Sequence, residues 1–217
     1  MKNYFVITFF LCGLLFSCSN DNEKEISGVI YLKRLISVYL APETITTENI
    51  DSGIRLSLKG KIITSGKEYD NLSKYYNDTN YNKYVYNGPR RAVNDSIYKV
   101  TMKTMEDFDP QHPAGSDITD LVECQYVSYY NFIKNNYKTE NSENKPIEGL
   151  YYYSKIEGAE AYKMNLTDIC YDNSKLMAPE FMLKFKTTPE KKGIYTFNLE
   201  MFFSGKVVTK TFKYVFE

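Results

Sequence analysis

The tightest constraint on the fold lies at the carboxyl end of the chain. In "GIYTFNLEMFF", residues 193–203, Tyr195, Phe197, Leu199, Met201 and Phe203 fall on one side, while Thr196, Asn198 and Glu200 fall on the other. A period of two puts alternate side chains on opposite faces of a strand and has no helical counterpart. Ser204-Gly205 follows as a turn signal. The pattern then resumes in "KVVTKTFKYVF" with Val208, Phe212, Tyr214 and Phe216 aligned. Two alternating runs about a short Gly-containing turn read as a β-hairpin. Upstream, "PEFMLKFKTTP" alternates Phe181, Leu183 and Phe185 against Met182, Lys184 and Lys186 between Pro179 and Pro189.

Earlier segments repeat the theme. "SGVIYLKRLISVYLA" reads as a long strand with Ile30, Leu32, Ile36, Val38 and Leu40 on one side. "GIRLSLKGKIITSG" aligns Ile54, Leu56 and Leu58, with Gly60 as an expected bend or bulge. "SIYKVTMKTM" and "AYKMNLTDICY" place Tyr98, Val100 and Met102, and then Tyr162, Met164, Leu166 and Cys170, together. About seven unevenly spaced strands with almost no long helical period predict an all-β sandwich. One interruption is expected. Ser116 or Asp117 stands as an N-cap before Ile118, Leu121, Val122 and Gln125, which predicts a short helix around residues 117–124. Residues 67–95 and 135–149 are polar, Asn-rich and poor in aliphatics, and read as loops. No internal repeat divides the chain, so residues 28–217 are taken as one domain.

The run "PEKKGIYTFNLEMFFSGK" resembles the last hairpin of immunoglobulin-like sandwiches, where Gly-x-Tyr enters the penultimate strand. The resemblance covers about the last 40 residues and implies that Tyr195 pins a corner by bonding back to upstream backbone. Phe197 stands where those domains place a cysteine, and the chain has no Trp. An antibody-type domain is therefore excluded. The expected fold class is an all-β, immunoglobulin-like antiparallel β-sandwich with one short helix and long polar loops.

The amino terminus addresses the chain. Lys2 precedes an apolar run from Tyr4 to Phe16, too short to span a bilayer but suited to a secretory signal. "LFSC", residues 15–18, resembles the lipobox of bacterial lipoproteins, with Phe16 bulkier than that family usually has. The resemblance implies a signal peptide over residues 1–17 and lipid on Cys18. One acyl chain binds membranes only marginally, at about 0.8 kcal/mol per buried methylene, so a triacylated cysteine suits durable anchoring. Residues 18–27 form an acidic tether, and "SNDNEKE" resembles the export signal that carries Bacteroidota-type lipoproteins to the cell surface. Surface exposure on the outer membrane is the expectation, with the periplasmic face as the alternative.

Composition narrows the partners. The chain carries 27 basic and 27 acidic residues, and losing Lys2 with the signal leaves the balance within one charge. Nothing electrostatic favours nucleic acid. Cys124 and Cys170 are the two cysteines left beyond the lipid site, and are read either as a disulfide or as two buried thiols. There are 21 Tyr and 13 Phe, which suit half-buried strands as well as a binding face.

Chemistry-bearing residues concentrate in "MEDFDPQHPAGSD", residues 105–117. Asp107, Asp109, His112 and Asp117 are weak metal candidates there. The chain has a single histidine and no EF-hand order, and turns select Asp, Pro, Gly and Ser for backbone reasons. No nucleophile–base pair is legible, so no catalytic residue and no cofactor are assigned. Asp95-Ser96-Ile97 matches an O-glycosylation pattern with Ser96 as acceptor, and Arg90-Arg91 reads as part of a solvated loop.

Signal, size and the "DFDPQHPAGSD" loop together resemble small Bacteroidota-type lipoproteins of unknown function, a resemblance that implies no particular activity. The expected function is a lipid-anchored, non-catalytic protein binding an extracellular glycan or partner protein through Tyr-rich loops at residues 69–88 and 126–137. The alternatives are a structural accessory subunit of an outer-membrane assembly and, last, a metal-dependent hydrolase using residues 106–117.

Overall fold

A computed structural model describes residues 29–51, 53–85, 90–139, 147, 149–150 and 157–217. The expected signal peptide, Cys18 and the expected tether lie outside them. The alternating carboxyl-terminal runs form strands β10 (Gly193–Phe203) and β11 (Lys206–Phe216), paired without a break from Gly193↔Phe216 to Phe203↔Lys206. Gly205 takes a φ of 74° in the two-residue turn, a conformation that favours glycine. Strand β6 (Lys99–Thr104) pairs with the other side of β10 and completes a three-stranded sheet.

A six-stranded sheet packs against it. Its order is β5 (Arg91–Val93), β2 (Val38–Ile50), β3 (Gly53–Ile63), β9 (Met177–Phe185), β7 (Val122–Ser128) and β8 (Glu160–Asn165). Every pair is antiparallel except β2–β5. The core between the sheets joins Ile54, Leu56, Leu58, Cys124, Phe181 and Leu183 to Met102, Phe197, Leu199 and Met201. The protein is thus an all-β sandwich.

The far face of the larger sheet is also covered. Tyr39, Ile63, Val127, Ala178 and Met182 on that face meet a second apolar cluster. That cluster is supplied by the ribbon of β1 (Ile30–Leu32) and β4 (Lys83–Val85), and by helices α1 (Gly66–Tyr75) and α2 (Tyr130–Lys134). Adjacent residues such as Tyr39 and Leu40 therefore serve opposite cores, which is how a sheet buried on both faces reads.

Three expectations are corrected or sharpened. Residues 117–124 contain no α-helix: a single 3-10 turn, Thr119–Leu121, leads directly into β7 at Val122. Val122, Cys124 and Tyr126 face one core with period two, and this strand pattern overrides the short helical spacing. The expected long first strand is broken between β1 and β2, where the backbone N–H groups of Leu35 and Ile36 turn to bind Asp78. Residues 67–95 are not one loop, for they contain α1, β4 and β5. By contrast, Gly60 lies opposite Pro42 at a register shift, the expected bulge. Tyr195 donates to the Lys191 carbonyl at 2.7 Å, the expected corner.

Candidate functional site

The acidic loop after β6 serves the sheet edge. Ile118 N–H donates to the Met102 carbonyl at 2.8 Å, Thr104 N–H to the Ser116 carbonyl at 3.1 Å, and Met102 N–H to Thr119 Oγ1 at 2.8 Å. The loop thereby covers the edge of β6, which would otherwise expose unpaired backbone. Its carboxylates are engaged locally. Asp107 accepts from Ala114 N–H, Asp109 from Gln111 and His112 N–H, and Asp117 from Thr119 N–H. The His112 ring nitrogen sits 2.8 Å from Asp109 and, with those backbone donors, holds its carboxyl below the ordinary carboxylate range. The weak metal candidates are therefore turn-formers here, and no group of three or more metal-type ligands occurs among the described residues.

The cysteines do not bridge. Cys124 is buried and Cys170 exposed, both as free thiols. Burial pushes the Cys124 thiol up to about 12, so it stays protonated at neutral pH. Ser96 is 2% exposed and so is shielded from a glycosyl donor in the folded protein. Arg90 is buried as well, at 1% exposure, while Arg91 is exposed, which corrects the solvated-loop reading of the pair.

Most tyrosines of the two Tyr-rich segments are structural. Tyr76, Tyr81, Tyr126 and Tyr129 are buried. Two others, Tyr75 at the end of α1 and Tyr130 at the start of α2, meet Tyr171, in the turn before β9, at one end of the sandwich or close to it. Tyr98, just before β6, joins them. Tyr75 and Tyr98 are 67% and 49% exposed, values that leave ring faces open to solvent. The hydroxyls of Tyr75 and Tyr171 lie 2.8 Å apart, and the Tyr98 and Tyr171 ring centroids 5.3 Å apart. Lys175 Nζ stands 4.6 Å over Tyr171 and 5.1 Å over Tyr130, and 2.8 Å from Asp172. The hydrogen bond to Asp172 holds the ammonium above the ordinary lysine range, and the bond to Tyr75 raises the Tyr171 phenol.

Buried polar contacts fix this platform from below. Ser174 Oγ accepts from Ile97 N–H at 2.8 Å and lies 2.8 Å from the Cys170 carbonyl. Ser128 Oγ donates to the Lys175 carbonyl at 2.6 Å and accepts from Tyr130 N–H at 3.1 Å. Tyr126 donates to the Asn173 carbonyl at 2.9 Å. Three separate segments are thus locked together under the rings, and such support holds a recognition surface in place before a ligand arrives. Tyr98 and Tyr171 lie outside the two expected segments. No local pattern marks them, because it is Ser174 that brings residue 97 beside residue 170.

These features define a β-sandwich with an aromatic–lysine platform at one end. No family model, curated protein or solved structure matches the chain.

Proposed function

We propose that the protein is a lipid-anchored, non-catalytic recognition module of the outer membrane, facing the cell surface, which binds an extracellular glycan or partner protein through the tyrosine–lysine platform. The observation that carries the reading is the group of exposed Tyr75 and Tyr98 and half-buried Tyr171 around Lys175, held by the Ser174 and Ser128 contacts. Aromatic faces give large contact area at low conformational cost, and a hydroxyl on each ring selects hydrogen-bonding partners. The lipobox-like "LFSC" supplies the membrane reading.

A glycan array probed with the full chain and with Tyr98→Ala/Tyr171→Ala tests the platform. The expected result is a signal for one glycan class that the double variant loses. Retention by the double variant of every glycan signal sinks the platform reading. Silence across a broad array favours a second reading, an accessory subunit of an outer-membrane assembly. That reading draws on the exposed cross-strand pair Ile194 and Val215, with Met105 beside Thr196, on the outer face of the small sheet.

A further inference from the structure

At the opposite end of β9 the two sheets part. A cleft of about 450 Å³ opens between the tip of the β2–β3 hairpin, the end of β9 and the end of β11. Its floor is aromatic. Phe185, Tyr214 and Phe216 touch in a triangle, with ring centroids 5.4 Å (Phe185–Tyr214), 4.9 Å (Phe185–Phe216) and 4.9 Å (Tyr214–Phe216) apart. Phe185 and Tyr214 are half-buried, so each keeps a ring face toward the opening. Asp51, Lys184, Thr187 and Thr188 stand around it, and none makes a side-chain hydrogen bond or ion pair among the described residues.

The walls are held in position. Asn49 Nδ2 donates to the Lys213 carbonyl at 3.2 Å and ties the hairpin to β11. On the other side Gly53 lies so close to β9 that a Cβ there would sit 2.3 Å from the Leu183 carbonyl oxygen. The cleft is thus a built feature between three anchored elements, with a volume inside the range of ligand sites.

We infer that this cleft is a binding site for a neutral saccharide unit. A sugar ring presents one face of C–H bonds, which stacks on an aromatic π-face, and an equator of hydroxyls that donate and accept together. Asp51 accepts and the two threonine hydroxyls both donate and accept, so sugar hydroxyls suit all three. A carboxylated ligand would set its charge against that of Asp51, which disfavours it. β9 spans nine residues between the Lys175 end and Phe185, on the order of 30 Å of strand. The cleft is therefore separate from the platform and independent of that reading.

The full chain purified in detergent is titrated by calorimetry with neutral glucan, mannan, galactan and xylan fragments, and with uronate oligosaccharides for comparison. At least one neutral class is expected to bind. Asp51→Ala and Tyr214→Leu are each expected to weaken it tenfold or more, while Tyr98→Ala/Tyr171→Ala leaves it unchanged. If Tyr214→Leu loses cooperative unfolding, Thr188→Ala, at an exposed rim position, takes its place. Absence of neutral binding, preference for uronates, indifference to the cleft variants or loss in the platform variant each overturns the assignment. Loss in the platform variant moves the binding to the platform, whereas loss confined to the cleft variants keeps it in the cleft, so the two readings fail separately.

Discussion

Asp78 is a carboxylate placed where water does not reach it. It accepts from Leu35 N–H and Ile36 N–H at 2.8 Å each and from the Tyr137 hydroxyl at 2.9 Å. One side chain thereby closes the turn between β1 and β2 onto the segment after α1. Asp78→Ala leaves two buried backbone donors without this partner and is expected to cost about 3 kcal/mol, from roughly 1–3 kcal/mol per orphaned buried group. Burial lifts the Asp78 carboxyl above the ordinary range, against the pull of those donors. The sign follows. Between the unfolded value near 4 and the raised native value, the native state holds a proton that the unfolded state has released, so stability falls as pH rises. Urea denaturation from pH 4 to 7 should show wild type losing stability relative to the non-titrating Asp78→Asn. A flat or opposite difference refutes this.

At the scale of elements, the bulge between β2 and β3 decides which face each strand gives to which core. Tyr39 serves one core and Ile45 the other although both are odd-numbered, because the register slips between Pro42 and Thr44. Gly60 makes the slip possible: a Cβ there would lie 2.0 Å from the Ala41 carbonyl oxygen and 2.8 Å from Glu43 N. Gly60→Ala sets a methyl group against backbone that has no room to yield. It is expected to cost about 1–3 kcal/mol as an overpacked site, whereas Lys59→Ala next door, exposed, stays within about 0.5 kcal/mol. Denaturation midpoints of the two variants measure the contrast. The bulge was legible because Gly60 interrupts an alternating run, and the β10–β11 hairpin because its alternation continues for eleven residues on each side. Helix α1 was hidden. Its inward positions include Tyr69, Leu72 and the fully buried Ser73, with Tyr76 just past its end, and a serine among tyrosines carries no apolar signal. The 106–117 loop misled in the other direction. Its acids look like ligands in one dimension and cover an edge in three. The platform was half visible, since Tyr75 and Tyr130 sit in Tyr-rich runs while Tyr98 and Tyr171 arrive only through long-range contacts at Ser174.

On the proposed reading, anchoring and recognition are separable in the whole molecule. Residues 18–28, fully extended, reach on the order of 35 Å. A domain on such a leash can present either the platform or the cleft away from a bilayer. Among the described residues the first strand is β1, and none of the described strands contains Cys18. The lipid reading therefore predicts a clean dissociation. Wild type should partition into detergent phase and resist salt extraction, since stable anchoring takes more than one acyl chain. Cys18→Ala should keep residues 1–17, fail to take lipid, and still unfold in urea at the wild-type midpoint once solubilised. Whole-cell protease treatment adds the face: cleavage of wild type in intact cells places the sandwich outside, and protection places it in the periplasm. Should Cys18→Ala be processed and sediment with membranes as wild type does, the sulfur is not the anchor. A sandwich held to the envelope by some other contact would then have to spend one of its exposed faces on that contact. The outer face carrying Ile194, Val215 and Met105 would be the first to examine, by testing whether Ile194→Asp/Val215→Lys releases the protein.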